Sequence, residues 1–216
     1  MKIKLIIFDL DGTLLNTLED LTSSGNYILS KYGFPIHSLD AYRFFVGNGI
    51  RKLIERILPE NKREETFIDQ VKAEFMDYYN EHKADQTAPY LGIIELLETI
   101  QAKNIKIAVA SNKAHEMMEK ILDFYFPTIY FDAVFGQRQG IPAKPDPCIV
   151  YDILKKTDVS KANTLYVGDT SVDIQTAKNA DLKSIGVLWG FRTEDELIHA
   201  GANYIISSPN ELLKYC

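Results

Sequence analysis

The stretch Leu5-Ile6-Ile7-Phe8-Asp9-Leu10-Asp11-Gly12-Thr13 decides the fold. Its apolar residues end in two aspartates one residue apart, and a glycine follows. Buried strands of parallel sheets are near-continuous apolar runs, so the stretch predicts a central strand whose carboxyl end carries acids into a loop. Residues i and i+2 of an extended chain project to the same side, so Asp9 and Asp11 can face one site. Carboxylates this close require a cation or a shared proton.

Beyond residue 85 the sequence alternates predicted helices and strands. The predicted strands are residues 105–110, 133–135, 164–167, 184–188 and 204–206, and a helical pattern follows each of them. This alternation is typical of a parallel sheet covered by helices on both faces, and the first strand belongs to the same sheet. The predicted fold class is therefore α/β, with a doubly wound parallel sheet of the Rossmann-like type.

Residues 16–84 show helical periodicity only. Apolar residues recur at helical spacing in several segments, which end at Gly33, at Gly47-Asn48-Gly49 and at Pro59. Because strand patterns stand before and after these segments, the helices interrupt the sheet after its first strand. We therefore expect two domains: a core made of residues 1–15 and 85–216, and an all-helical insert made of residues 16–84.

Composition excludes several classes of function. The chain has 216 residues, of which 46% are hydrophobic and 25% charged, values that are ordinary for a globular protein. A net charge of −6 without a basic stripe makes nucleic acid an unlikely partner. No apolar stretch reaches membrane-spanning length, and Asp9 interrupts the N-terminal apolar run, which lacks the features of a signal peptide. We expect a cytoplasmic protein with no nucleic-acid or membrane partner.

Polar residues follow three of the predicted strands at the points where those strands end, and Lys144 stands before the strand predicted at 164–167. All strands of a parallel sheet end at one edge, so these residues are candidates for one shared site. Four carboxylates together would repel one another, and Mg²⁺ is the hard cation that oxygen ligands favour. A hydroxyl and a lysine would bind a dianion beside it, which predicts a metal next to a phosphate group. The candidates are Asp9, Asp11, Ser111, Asn112, Lys144, Asp169 and Asp173.

Each candidate also has a purely structural explanation. Asp-x-Asp-Gly alone is more often a turn or a calcium-type loop. Ser111 or Asp169 alone would most simply cap a helix, and Lys144 alone would be a solvated lysine. Their order along the chain, each after a predicted strand or loop, favours the shared site over these separate explanations.

These residues resemble the motifs of a known family. Asp9-x-Asp11-Gly12-Thr13, Ser111, Lys144 and Gly168-Asp169-x-x-x-Asp173, in this order, resemble the four motifs of the haloacid dehalogenase superfamily. The helical insert resembles the C1 cap domain of that superfamily. A further set of segments is most similar to phosphoglycolate phosphatases and their near relatives: Val46-Gly47-Asn48-Gly49, Pro89-Tyr90-x-Gly92, Ser111-Asn112-Lys113 and Val187-Leu188-Trp189-Gly190-Phe191-Arg192.

The resemblance implies a role for each motif residue. Asp9 would be the nucleophile that forms an aspartyl-phosphate, and Asp11 would be the general acid and then the general base. Asp9, the backbone carbonyl of Asp11, Asp169 and Asp173 would hold Mg²⁺, with Asp173 acting directly or through water or Lys144. Ser111, Lys144 and the amides after Asp11 would hold the phosphoryl oxygens. Thr13 and Asn112 would make further substrate contacts, whereas Gly47 and Asn48 form either a substrate-facing loop or a plain helix breaker.

We therefore expect a Mg²⁺-dependent phosphatase that acts on a small phosphorylated metabolite, as a monomer or homodimer. The favoured substrate is 2-phosphoglycolate. A nucleotide or pyrophosphate phosphatase and a β-phosphoglucomutase-like mutase would share the same chemistry. A different class, a phospho-accepting receiver-like signalling domain, has a similar acidic pocket but lacks a helical insert. A catalytically silent binding module is disfavoured by the full set of acids.

Overall fold

The computed structural model describes residues 2–216, which divide into two compact units. The first unit contains the chain up to Leu15 together with Pro89–Cys216, and the second contains Asn16–Ala88. Within the described residues, no helix combines the length and the apolar character needed to cross a membrane.

Six of the strands in residues 2–216 form one parallel sheet in the first unit, in the order β5-β4-β1-β6-β7-β8. Two very short strands, β2 and β3, lie where the chain leaves the first unit and returns to it, and they form a separate sheet. The strands in chain order are β1 (Leu5–Phe8), β2 (Leu15–Asn16), β3 (Ala88–Pro89), β4 (Lys106–Ala114), β5 (Ala133–Gln137), β6 (Thr164–Gly168), β7 (Lys183–Val187) and β8 (Tyr204–Ile206).

The helices alternate with the strands of the large sheet, as the sequence predicts for an α/β fold. The first unit contains α5 (Ile93–Ala102), α6 (His115–Tyr125), α7 (Cys148–Thr157), α8 (Ser171–Asn179) and α9 (Glu194–Ala200), whereas α1 (Leu18–Lys31), α2 (Leu39–Phe45), α3 (Ile50–Ile57) and α4 (Glu65–His82) belong to the second. Short 3₁₀ helices occupy Glu60–Lys62, Lys161–Asn163 and Pro209–Tyr215. The last of these is the helical segment that the sequence predicts after the final strand.

Strand β1 is central, as its apolar sequence predicts. It pairs with β4 on one side and β6 on the other, so that Leu5 lies beside both Lys106 and Thr164. Every residue of β1 is buried, which at about 1.5–3 kcal/mol per large apolar side chain makes this strand a main contributor to core stability. Asp9 follows directly, and its amide donates to Val167 O, so the acid is held at the carboxyl edge of the sheet.

Strand β4 is longer than predicted. The sequence places its end at Ala110, but β4 continues to Ala114, with an irregular register after Ala110. Pairing with β5 resumes at Ala114 and Gln137, so the strand bulges and then continues. Ser111 and Asn112 therefore lie in the bulged stretch of the strand and not in a loop beyond it.

The second unit carries the four helices α1–α4 and ends later than predicted. The sequence places the return to the core at residue 85, whereas the second unit continues to Ala88. Asp20 in α1 explains the difference: its buried carboxylate accepts from Gln86 N, Thr87 N and Thr87 Oγ1 at 3.0, 2.9 and 2.7 Å. These hydrogen bonds fasten residues 86 and 87 to the helical unit.

We expect Asp20→Ala to destabilise the protein by about 2 kcal/mol, because it leaves the buried amide of Thr87 and the part-buried amide of Gln86 without an acceptor. Thermal unfolding of the purified protein measures the change. Glu19→Ala is the matched control, since Glu19 also lies in the first turn of α1 but is exposed. An equal loss of stability in the two variants would contradict the role given to the Asp20 hydrogen bonds.

Candidate functional site

Three carboxylates meet at the carboxyl edge of the sheet in the first unit. Asp9 follows β1 and Asp169 follows β6, whereas Asp173 lies in the first turn of α8. One oxygen from each carboxylate lies within 4.8 Å of the other two, and all three residues are buried. Three acids converging this closely inside a protein need positive charge to offset their repulsion.

Lys144 supplies part of that charge. Its Nζ donates to Asp9 Oδ1 at 2.8 Å, to Asp173 Oδ1 at 2.7 Å and to Ala110 O at 2.9 Å. Asn112 holds the lysine backbone on both sides, because its Oδ1 accepts from Lys144 N and its Nδ2 donates to Lys144 O. The buried ammonium is thus fixed between two of the three acids.

The pKa values of these groups show that one lysine does not offset the negative charge of three buried acids. Burial, followed by the charge of Asp173, raises the pKa of Asp9 well above its ordinary value, although Lys144 opposes the rise. Burial and Asp173 likewise raise the pKa of Asp169 to about 7. Burial disfavours the charged form of Lys144, but Asp173 and Asp9 outweigh it and raise its pKa well above the usual value. Lys144 therefore stays charged, and the three acids together have more negative charge than this one lysine can offset.

The turn after β6 orients Asp173. Thr170 caps α8 in a capping box, in which its Oγ1 accepts from Asp173 N. The same Oγ1 also donates to Asp173 Oδ2 at 2.7 Å. The backbone amide of Thr170 donates to the same oxygen at 3.1 Å. Both interactions leave Oδ1 of Asp173 directed at Lys144. Asp169 precedes the cap residue and lies outside the helix, whereas Asp173 lies in its first turn.

The loop after β7 closes the site around Asp169. Phe191 N donates to Asp169 Oδ2 at 2.8 Å, and Trp189 Nε1 donates to Thr13 O at 3.0 Å. A Cβ on Gly190 would collide with Asp169 and with the Gly12 carbonyl, so only glycine fits. The residues that the sequence predicts for the site do not include Trp189, Gly190 or Phe191. Their position directly after the strand predicted at 184–188 is the sequence feature that would have made them candidates for the site.

Asp11 lies apart from the three-acid cluster and has its own lysine. Lys113 Nζ is 3.2 Å from Asp11 Oδ1, and both side chains are largely buried. Ser111 Oγ accepts from Lys113 N at 3.1 Å, so its own hydroxyl proton remains as a donor. Lys113 is not among the residues that the sequence predicts for the site. Its place two residues after Ser111, at the end of a core strand, would have made it a candidate.

Other predicted site residues make contacts within the protein. Thr13 Oγ1 donates to Asp169 Oδ1 at 3.2 Å. The amides of Gly12 and Thr13, expected to hold phosphate, donate instead to Leu15 O and Leu10 O within their own loop. This expectation is not met because the tight turn uses those amides to close itself.

Gly47 and Asn48 lie in the second unit, between α2 and α3. Arg56 holds their loop: its Nη2 donates to Asn48 Oδ1 and its Nη1 to Phe45 O, both at 2.8 Å. Gly47 and Gly49 both have positive φ, which favours glycine there. The loop is therefore a defined structure, and its contact with substrate stays a prediction.

The donor set fits a divalent cation. Asp9, Asp169 and Asp173 offer carboxylate oxygens only, the ligand type that Mg²⁺ prefers, and their charge exceeds that of Lys144. A cation bound among them would offset the burial and the mutual repulsion that together raise the pKa values of Asp9 and Asp169.

Comparison with known proteins agrees with this geometry. The family model of haloacid dehalogenase-like hydrolases matches residues 6–187. The phosphoglycolate phosphatase of Aquifex aeolicus is 33% identical over 211 residues, which cover 98% of this chain and 95% of the relative. A crystal structure of a provisionally named phosphoglycolate phosphatase from Lactobacillus delbrueckii subsp. bulgaricus is 32% identical, with a TM-score of 0.94 over 100% of this chain and 98% of that chain. A predicted phosphoglycolate phosphatase from Haemophilus somnus, 27% identical, gives 0.90 over the same shares.

We expect Mg²⁺ to raise the thermal unfolding temperature of the EDTA-treated protein, by an amount that corresponds to about 2–3 kcal/mol at a concentration near 100 times Kd. The effect should be largest at about pH 8 and should shrink towards about pH 5. In this range Asp169 binds a proton in the folded metal-free protein, and protons compete with the metal. The raised pKa of Asp9 acts in the same direction.

The raised pKa values determine how the stability of the metal-free protein depends on pH. An acid whose folded pKa lies above its unfolded pKa destabilises the fold at high pH, so the metal-free protein should gain stability as pH falls through about 7. Asp169→Asn should abolish most of the Mg²⁺ effect, whereas the exposed Asp195→Asn should keep it. The same Mg²⁺ shift in both variants would argue against this site.

Proposed function

The chain belongs to the haloacid dehalogenase-like hydrolases and is a phosphatase, and we propose that it hydrolyses a small phosphate monoester with Mg²⁺ and an aspartyl-phosphate intermediate on Asp9. Family membership removes the receiver-like alternative. The observation that carries the proposal is the Asp9 carboxylate, which Lys144 holds in a buried acidic cluster while Asp11 lies apart from that cluster.

In the first proposed step, an oxygen of Asp9 attacks phosphorus. The bond between phosphorus and the ester oxygen breaks, and Asp11 gives its proton to the departing alkoxide. Lys144 orients Asp9 by holding Oδ1 at 2.8 Å. A fixed nucleophile lowers the entropic part of the barrier, because the attacking atom does not have to be positioned during the reaction.

In the second proposed step, water attacks the phosphorus of the aspartyl-phosphate. Asp11, now ionised, takes a proton from that water, the bond between Asp9 and phosphorus breaks, and inorganic phosphate leaves. Asp9 and Asp11 return to their starting protonation states. One carboxyl group thus serves as acid and then as base, which requires that it be distinct from the nucleophile.

Asp9, Asp169, Asp173 and the backbone carbonyl of Asp11 would hold Mg²⁺. When bound, the metal supplies positive charge that keeps Asp9 ionised and offsets the charge of the phosphate. Ser111 and Lys144 would hold the phosphoryl oxygens. Thr13 and Asn112 support these groups by their contacts with Asp169 and Lys144, and their direct contact with substrate is part of the proposal.

The favoured substrate is 2-phosphoglycolate. Support comes from the names of relatives that match almost the whole chain, such as that of Aquifex aeolicus. Gly47 and Asn48 are kept as proposed substrate contacts. We also propose that Asp11 protonates the ester oxygen of glycolate, whose alkoxide is a poor leaving group and therefore needs an acid.

We expect purified protein with Mg²⁺ to hydrolyse 2-phosphoglycolate with a higher kcat/KM than nucleotides, pyrophosphate or sugar phosphates, and EDTA to abolish turnover.

Asp9→Asn should reduce kcat by at least about 10⁴-fold without unfolding the protein, because the amide cannot attack phosphorus. Asp195→Asn serves as the control for mutagenesis and purification. Turnover that survives in Asp9→Asn would remove Asp9 as nucleophile, and a better nucleotide substrate would replace 2-phosphoglycolate.

We expect Asp11→Asn to slow hydrolysis of alkyl phosphates by about 10²–10⁴-fold and that of p-nitrophenyl phosphate much less, because nitrophenolate leaves without protonation. The measurement is the single-turnover rate of leaving-group release, which isolates the first step. Equal losses for both ester classes would indicate that Asp11 has a structural role instead.

A further inference from the structure

We propose that Lys113 is a positioning residue for Asp11, a role that rests on the proposed function and assigns a second lysine to the site. Lys113 Nζ lies 3.2 Å from Oδ1 and 3.5 Å from Oδ2 of Asp11. The ammonium therefore faces both oxygens of the carboxylate whose orientation decides where the proton is delivered.

The burial of the pair argues for a specific role. The Lys113 side chain is 3% exposed and that of Asp11 is 16% exposed. A buried ammonium loses its hydration, and only close opposite charge and good hydrogen bonds offset that loss. Flexible surface lysines restrict a carboxylate very little, whereas a buried one limits the rotamers that the carboxylate can adopt.

The backbone of Lys113 is itself fixed. Its amide donates to Ser111 Oγ, and the bulged end of β4 returns to regular pairing with β5 one residue later, at Ala114. Gly136 on β5 packs so closely that an added Cβ would collide with the Lys113 carbonyl. The lysine is thus projected from a rigid strand and not from a mobile loop, which is where a positioning group is most effective.

The two aspartates of the first motif contact different lysines. Lys144 bonds to Asp9 and Asp173, whereas Lys113 bonds to Asp11. The Asp11 carboxylate accordingly stays outside the group formed by Asp9, Asp169 and Asp173. Lys113 keeps the acid turned away from that group, so that it faces the leaving oxygen when phosphate is bound. A displacement of about 1 Å at such a position can cost about 10²-fold in rate.

Three variants test this role: Lys113→Met, Lys113→Arg and the double variant Lys113→Met/Asp11→Asn. Lys113→Met should lower the single-turnover rate on alkyl phosphates by about 10–100-fold and on p-nitrophenyl phosphate by less than about threefold, in the pattern of Asp11→Asn. Lys113→Arg should recover most of the loss. In the Asp11→Asn background, Lys113→Met should have almost no further effect, because the positioned acid is already absent. Lys120→Met, at an exposed position of α6, is the control.

Several results would overturn the proposal. Equal losses on both ester classes that persist in the Asp11→Asn background would make Lys113 a phosphate-binding group. A loss confined to 2-phosphoglycolate and absent with ethyl phosphate would make it a ligand of the substrate carboxylate. Wild-type rates in Lys113→Met would remove any role. If Lys113→Met is unstable, Lys113→Gln gives the same comparison, with Lys113→Arg again as the variant that keeps the positive charge.

The outcomes separate this proposal from the proposed function. Absence of metal-dependent turnover in the wild-type protein would remove both. Turnover with the expected Asp11→Asn pattern, but without the matching Lys113→Met pattern, would remove only the positioning role.

Discussion

The structure depends on the burial of three carboxylates at the edge of a parallel sheet with one lysine among them. Asp9, Asp169 and Asp173 converge within 4.8 Å, and Lys144 neutralises part of their charge. A folded protein does not hold such an excess without compensation, because desolvated like charges repel strongly. The raised pKa values of Asp9 and Asp169 are the direct consequence. A site with these properties is suited to bind a cation and then an anion next to it.

Close backbone packing makes this cluster possible. Gly12 has a positive φ of 90°, and a side chain there would collide with Asp169. Gly168 and Gly190 are restricted in the same way, by Asp173 and by Asp169. Three chain segments thus approach the acids more closely than any larger residue allows, so the loops after β1, β6 and β7 exclude water from the cluster. Exclusion of water strengthens every electrostatic interaction inside.

The separation of Asp9 from Asp11 places the two carboxyl groups in different environments, so that they can have different chemical roles. The residues are two positions apart in sequence, yet one contacts Lys144 within the acidic cluster and the other contacts Lys113 outside it. A nucleophile and a proton donor need different environments, since one must stay ionised and the other must exchange a proton. The bulge at the end of β4 contributes to this separation, because Ser111, Asn112 and Lys113 lie within it.

The sequence alone determined the fold class, the central strand and the edge where the acids meet. Apolar periodicity and the order of the motifs depend on local patterns, and parallel strands necessarily share one carboxyl edge. Only the tertiary structure decided the partners: Lys144 between Asp9 and Asp173, Lys113 on Asp11, and Phe191 N on Asp169. It also decided that the amides of Gly12 and Thr13 close their own turn. These contacts join residues whose distance depends on strand order, on the register of β4 and on side-chain rotamers, and periodicity carries no information about any of the three.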